Sequence, residues 1–129
     1  MTILALDLGT KKTGIAISHG EMAETLKTYF FDRTGIDGLI ERLERIVKEQ
    51  GVTQLVVGLP VGYNDEETKQ SQLVRAQAEK IAQALNVKLD FSPEILTSWE
   101  AAESGASKAE VDAVAAKIIL EQYINERRS

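Results

Sequence analysis

An acidic residue inside the first apolar segment constrains this chain more than any other feature. Residues 3–18 consist of an apolar run, a short polar turn and a second apolar run, a pattern typical of a buried β-hairpin. Asp7 stands near the end of the first run. A buried carboxylate is costly unless a cation meets it, so the pattern indicates a divalent metal or a metal-bound phosphate. The open alternative is that Asp7 pairs with a nearby lysine.

The turn of this hairpin carries small and basic residues. Gly9 and Gly14 lack a Cβ, which lets backbone approach a bulky anionic ligand or adopt a positive φ. Thr10, Lys11 and Lys12 add a hydroxyl and two positive charges. We expect these residues to contact an anionic substrate. Solvated turns also favour such residues, so an ordinary hairpin tip is the alternative.

Composition limits the function classes. With 129 residues and no cysteine, the chain is expected to form a single domain, residues 1–129, without disulfides or thiolate metal sites. Any metal must be a hard cation bound by oxygen or by the single histidine. We expect a cytoplasmic protein without membrane contact, since no run approaches the length of a membrane span. The net charge of −5 argues against broad, non-specific attraction to nucleic acid.

The rest of the chain alternates helices and strands. Residues 23–31 favour a third antiparallel strand. Residues 35–51 and 66–85 show helical periodicity, and in the second of these helices Leu73 and Ala78 are expected to face inward. Two short apolar strands follow these helices, at residues 53–57 and 87–91. Capping-box signatures open a short helix at residue 97 and a last helix at residue 107.

This order predicts an α/β fold with a mixed five-stranded sheet, three antiparallel strands followed by parallel ones, flanked by helices. Ligands of such sheets bind beyond the carboxyl ends of the parallel strands. Asp7 lies there, Glu94 just past the fifth strand, and Asp112 in the first turns of the last helix. Three converging carboxylates repel one another, so convergence would imply metal. Individually, Glu94 as a solvated loop residue and Asp112 as a helix-end charge remain alternatives.

Four motifs in order resemble those of one known family. They are DLGTKKTG (residues 7–14), VVGLP (56–60), EILTS (94–98) and VDAVAAKIIL (111–120). The chain is similar, over nearly its whole length, to the YqgF (RuvX) family. These bacterial proteins have an RNase H-like fold and are regarded as pre-16S rRNA nucleases, earlier as Holliday junction resolvases.

The resemblance implies a site and a function. Its catalytic and metal-binding acids would be Asp7, Glu94 and Asp112, holding two Mg²⁺ or Mn²⁺ ions. The substrate-binding residues implied by the hairpin and the resemblance are Gly9, Thr10, Lys11, Lys12 and Arg75. The expected activity is metal-dependent endonucleolytic hydrolysis of phosphodiester bonds in structured RNA, with 5′-end maturation of pre-16S rRNA as its role.

The chain departs from the family pattern at two places. The family usually has an acidic residue before the glutamate and an arginine after it, where this chain has Pro93 and Ile95. It also commonly has a basic tract before the last helix, where residues 105–111 hold only Lys108, offset by Glu110. Both departures remove positive charge from the expected nucleic-acid face.

Three alternative functions follow. The first is a Holliday junction resolvase, which would act on DNA as a homodimer because two strands must be cut. The second is a degenerate member that binds RNA or a protein without cleavage. The opening motif also resembles the phosphate loop of sugar-kinase and actin-like ATPases, but a chain this short is expected to lack their second domain.

Overall fold

The computed structural model describes residues 1–9, 11–20, 22–26, 28–31, 35–61, 66–94 and 108–128, with backbone only at positions 94, 108–112, 127 and 128. The described strands are β1 (Ile3–Leu8), β2 (Lys12–Ser18), β3 (Ala23–Thr25), β4 (Tyr29–Phe30), β5 (Gln54–Pro60) and β6 (Lys88–Glu94). The described helices are α1 (Gly35–Gln50), α2 (Lys69–Leu85) and α3 (Lys108–Arg128).

The strands form one mixed sheet in the order β3-β2-β1-β5-β6, with β4 also paired to β2. β1 is antiparallel to β2 and parallel to β5, and β5 is parallel to β6. The predicted α/β class and mixed sheet are therefore confirmed. The sheet has six strands instead of five because the predicted third strand is divided into β3 and β4, which pair with opposite ends of β2.

Two apolar cores lie on opposite faces of the sheet. Because strand side chains alternate between faces, β1 contributes to both. On one face α1 and α2 cover Leu4, Leu6, Leu8, Ile15, Ile17, Leu55 and Val57. On the other face α3 covers Ile3, Ala5, Ala16, Ala23 and Val56 with Ala116, Ile119, Leu120, Tyr123 and Ile124. The carboxyl ends of the parallel strands β1, β5 and β6 lie side by side at one edge of the sheet, between the two helical layers.

Both parallel strands extend further than the sequence predicted. β5 continues to Pro60 and β6 to Glu94, so Glu94 is the last residue of its strand and does not lie beyond it. Proline lacks an amide donor and is tolerated in edge strands and at strand ends. Pro93 lies in β6, the last strand of the sheet order, and Pro60 is the final residue of β5.

The helix ends follow from local chemistry. α1 stops where Gly51 adopts a φ of +69°, and the amides of Gly51 and Val52 donate to the Val47 carbonyl. α2 begins after Thr68, whose hydroxyl accepts from the Ser71 amide in a capping box. The predicted short helix after residue 97 lies outside the described residues.

The prediction that Leu73 faces inward is wrong. Its side chain is 65% exposed, and Val74 is buried instead. The buried stripe of α2 runs through Val74, Ala78, Ile81 and Leu85, at spacings of three and four. Leu73 lies one position, or about 100°, away from that stripe.

None of the helices in the described ranges combines the length and the apolar character that a bilayer span requires.

Candidate functional site

Asp7 lies at the carboxyl end of β1 on the face covered by α3. It is the penultimate residue of the strand and is directly opposite Gly14 of β2. The two residues of the same phase, Ile3 and Ala5, belong to the core beneath α3. Strand alternation therefore turns the Asp7 side chain toward α3, where it is half-buried.

The hairpin tip beside Asp7 is held by backbone hydrogen bonds. The Gly9 amide donates to the Lys12 carbonyl at 2.9 Å, and a Cβ on Gly9 would lie 2.8 Å from that oxygen. The turn itself therefore requires glycine here, whatever the substrate contacts. The buried Thr13 hydroxyl donates to the Asp7 carbonyl at 3.1 Å, which ties the two strands together.

The structure describes two of the three polar hairpin residues that were predicted to contact the substrate. Lys11 is exposed and Lys12 is half-buried, both at the same end of the sheet as Asp7. Thr10 lies outside the described residues. Their predicted contact with substrate stays a prediction.

Strand register brings the end of β6 to the same edge as Asp7. Asp7 is level with Gly58 of the intervening strand β5 and, beyond it, with the buried Ser92 of β6. Gly58 has no side chain to fill the space between β1 and β6. Glu94 lies two residues beyond Ser92, opposite Pro60. The backbones of β1 and β6 are about 10 Å apart at this point, two strand spacings.

Asp112 lies in the second turn of α3, the helix that packs on the Asp7 face of the sheet. Position 112 precedes the buried Ala116 by one helical turn. Tyr123, near the other end of α3, contacts the amino end of β5 through Gln54. Eleven residues of helix separate position 112 from Tyr123, about 16 Å of axial rise.

The backbone gives the place of each predicted carboxylate in the fold. The strand ends that carry Asp7 and Glu94 share one edge of the sheet, and the helix that carries Asp112 covers the same face as Asp7. The side chains of Glu94 and Asp112 lie outside the described ones. Among the described side chains, no group of three His, Asp or Glu could hold a metal. The three-carboxylate site therefore stays a prediction.

Arg75 lies on the other face of the sheet. α2 packs against the core opposite α3, and the Arg75 guanidinium lies 4.7 Å from the ring centroid of Phe91, which packs against that same core. Its Nε also donates to Glu67 Oε1 at 3.0 Å. The structure does not bring Arg75 beside Asp7, and its substrate contact stays a prediction.

A buried polar network at the amino end of the sheet was missed by sequence reasoning. Gln54 Nε2 donates to the Tyr123 hydroxyl at 2.5 Å, and this hydroxyl donates to Asp90 Oδ2 at 2.8 Å. Asp90 Oδ1 also accepts the Phe91 amide at 2.9 Å. The network fastens α3 to β5 and β6. Its members come from three distant segments of the chain, so no local sequence pattern marks the network.

One groove formed by the described residues lies on the sheet face opposite Asp7. It has a volume of about 940 Å³ and lies between α1 and the β2–β4 side of the sheet. Its charged lining is mixed, with Asp37, Glu41, Arg42, Arg45 and Glu49. None of the predicted site residues lines it.

Comparison with known proteins identifies similar chains. A family model described as "RuvX: Holliday junction resolvase" matches residues 1–126. A "Putative pre-16S rRNA nuclease" of Chloroflexus aurantiacus is 33% identical over 135 residues, covering 98% of this chain and 88% of the relative. One of the same description from Gloeothece citriformis is 35% identical over 134 residues, covering 98% and 89%.

The fold is shared with a solved structure. The structure described as "T. thermophilus RuvC in complex with Holliday junction substrate" matches with a TM-score of 0.62. It covers 100% of this chain and 96% of that chain at 14% identity. At this identity the likeness shows the fold alone.

Proposed function

Because this chain belongs to the RuvX family, we propose that it is a metal-dependent endonuclease that hydrolyses phosphodiester bonds in structured RNA. The observation that carries the proposal is Asp7, a half-buried carboxylate at the end of β1 that faces α3. In sheets of this kind ligands bind beyond the carboxyl ends of the parallel strands, which is where Asp7 lies.

The donor set fits a hard divalent ion. The sequence holds no cysteine, and the three acids implied by the family motifs offer oxygen ligands only. We assign Asp7, Glu94 and Asp112 as the residues that would hold two Mg²⁺ or Mn²⁺ ions. Such ions supply Lewis-acid activation of water and neutralise charge on the phosphate.

The remaining residues would bind and orient the substrate. Lys11 and Lys12, on the hairpin next to Asp7, would meet phosphates on either side of the bond to be cut. The Gly9 turn and the Thr13 hydrogen bond hold that hairpin at a fixed distance from Asp7. A side-chain nucleophile is not needed in this mechanism, because water attacks the phosphorus.

We further propose that the substrate is a precursor of 16S ribosomal RNA, cut during maturation of its 5′ end. The support is the description shared by the relatives in Chloroflexus and Gloeothece. Activity on such a substrate would be cytoplasmic, where bacterial ribosomal RNA is made.

A DNA junction resolvase is the second candidate. The description of the matching family model favours it. It would use the same carboxylates but require a symmetric dimer, so that two sites reach two strands.

One parallel assay separates these functions. The purified chain is incubated with Mg²⁺ or Mn²⁺ and, separately, with a pre-16S RNA fragment, linear duplex DNA and a four-way DNA junction. Cleavage of the RNA with no cleavage of the junction supports the proposal. Symmetric cleavage of the junction alone supports the resolvase, and binding without any cleavage identifies a non-catalytic member.

A further inference from the structure

Phe30 is a large aromatic side chain that the fold leaves in solvent. It is 55% exposed, whereas its neighbours Tyr29 and Phe31 both pack into the core beneath α1 and α2. Alternation along β4 turns Phe30 to the opposite face, the one that carries Asp7. A single exposed apolar residue is common and does not by itself indicate a function. The position of Phe30 relative to Asp7 and the hairpin is therefore the relevant observation.

Register places Phe30 beside the hairpin and near Asp7. Phe30 is directly opposite Lys12 of β2, and Asp7 is directly opposite Gly14 of the same strand. Lys12 and Gly14 are two residues apart, so both pairs lie on one face. Two strand spacings and two residues of rise separate Phe30 from Asp7, about 12 Å between Cα atoms.

The backbone holds this aromatic side chain firmly against the hairpin tip. The Phe31 amide donates to the Lys11 carbonyl at 2.8 Å, directly after the Phe30–Lys12 pair. The α3 helix packs mainly on β1, β2, β3, β5 and β6, which leaves the Phe30 ring accessible. An aromatic face beside lysine side chains is the combination that single-strand nucleic-acid sites use, with bases stacked on the ring and phosphates near the cations.

We propose that Phe30 stacks on an unpaired nucleobase of the substrate strand, close to the bond that is cut, while Lys11 and Lys12 meet the adjoining phosphates. This inference rests on the proposed nuclease function. It narrows the substrate class to strands with an unpaired or splayed-out base beside the cleavage point. A continuous duplex keeps its bases stacked internally and offers none to the ring.

Fluorescence titration tests the stacking contact. The probe is a single-stranded RNA oligonucleotide with one 2-aminopurine, titrated in Ca²⁺ and checked by gel for an intact strand. The wild type is expected to bind and to quench the fluorescence. Phe30→Leu keeps an apolar side chain without a π face, and should raise the Kd about 5- to 150-fold and abolish the quench. Phe30→Trp should restore both.

A matched control removes an exposed apolar side chain from the other layer. Leu73, on α2, is 65% exposed, and Leu73→Ala should leave the Kd and the quench at wild-type values. Circular dichroism melting of all variants verifies folding, which an exposed side chain should affect little.

Several outcomes overturn the inference. Phe30→Leu with a wild-type Kd and quench overturns it, as does equal weakening by Phe30→Leu and Leu73→Ala. If the wild type cleaves RNA while either result holds, the nuclease function stands and the stacking inference alone fails. If the wild type neither binds the oligonucleotide nor cleaves RNA, both fail, and Phe30 becomes a candidate contact for a protein partner.

Discussion

Asp7 interrupts an otherwise apolar strand, and its setting was partly predictable from the sequence. Its place at the end of the first strand follows from the apolar run that precedes it. Its face does not follow from the run alone, because both neighbours, Leu6 and Leu8, are buried in the opposite core. Only the packing of α3 over Ile3 and Ala5 shows which layer Asp7 meets.

Gly9 is the residue whose requirement the structure explains most directly. Gly9→Ala should lower the free energy of unfolding by about 1–3 kcal/mol, because the new Cβ would lie 2.8 Å from the Lys12 carbonyl oxygen. Urea denaturation measures the change. Gly20→Ala is the matched control, since a Cβ there meets nothing within 4 Å, and it should change stability by less than about 0.5 kcal/mol. Equal stability of both variants would show that the hairpin tip relaxes freely.

Lys11 and Lys12 are the cations placed beside the proposed cleavage point. The double variant Lys11→Ala, Lys12→Ala should weaken RNA binding and flatten the slope of log K against log salt, by about 0.7 for each lost phosphate contact. Binding at four or more salt concentrations measures this slope.

The control for the lysines removes the same charge from the α1–α2 layer. Lys48→Ala, Lys80→Ala takes two exposed cations from that layer and should retain the wild-type slope. If both double variants reduced the salt-dependence slope by the same amount, the net charge of the protein and not the hairpin would govern binding.

Among the elements, α3 depends on a polar contact that sequence patterns did not predict. Its buried face combines small and large side chains: Ala113, Ala115, Ala116, Ile119, Leu120, Tyr123 and Ile124. The Gln54–Tyr123–Asp90 network supplies directional contacts. It was missed because its members come from three distant segments, and hydrogen bonds between such segments leave no periodic signal in a sequence.

Tyr123→Phe should therefore destabilise the chain by about 1–3 kcal/mol, since the buried Gln54 amide loses its acceptor. Thermal or urea unfolding provides the measurement. Tyr29→Phe is the control, because the Tyr29 hydroxyl makes no hydrogen bond within the described part of the chain, and its stability should stay near wild type. A neutral Tyr123→Phe would show that apolar packing alone positions α3.

The element boundaries show where sequence reasoning succeeds and where it fails. Gly51 ends α1 as predicted, because the left-handed cap is a local requirement. The strands β5 and β6 were predicted too short, because the apolar runs end at residues 57 and 91 while the pairing between the two strands continues to Pro60 and Glu94. Leu73 was predicted to face inward, but the buried stripe of α2 runs through Val74 instead.

At the scale of the whole molecule, charge and family membership point in different directions. The net charge of −5 disfavours general attraction to nucleic acid, yet the chain belongs to a resolvase family. The substrate site proposed above, with Lys11 and Lys12 on the hairpin beside Asp7, would reconcile the two. Pro93, Ile95 and the missing basic tract then leave Lys11, Lys12 and Phe30 as the principal proposed substrate contacts.

We propose that Asp7 serves a metal-dependent cleavage site and not the stability of the fold. The most direct measurement compares RNA cleavage in Mg²⁺ and the melting temperature for the wild type and Asp7→Asn. We predict that Asp7→Asn abolishes cleavage and melts at the wild-type temperature or above, because the amide relieves repulsion among the carboxylates. Equal cleavage by both proteins, or a large fall in the melting temperature of Asp7→Asn, would contradict it.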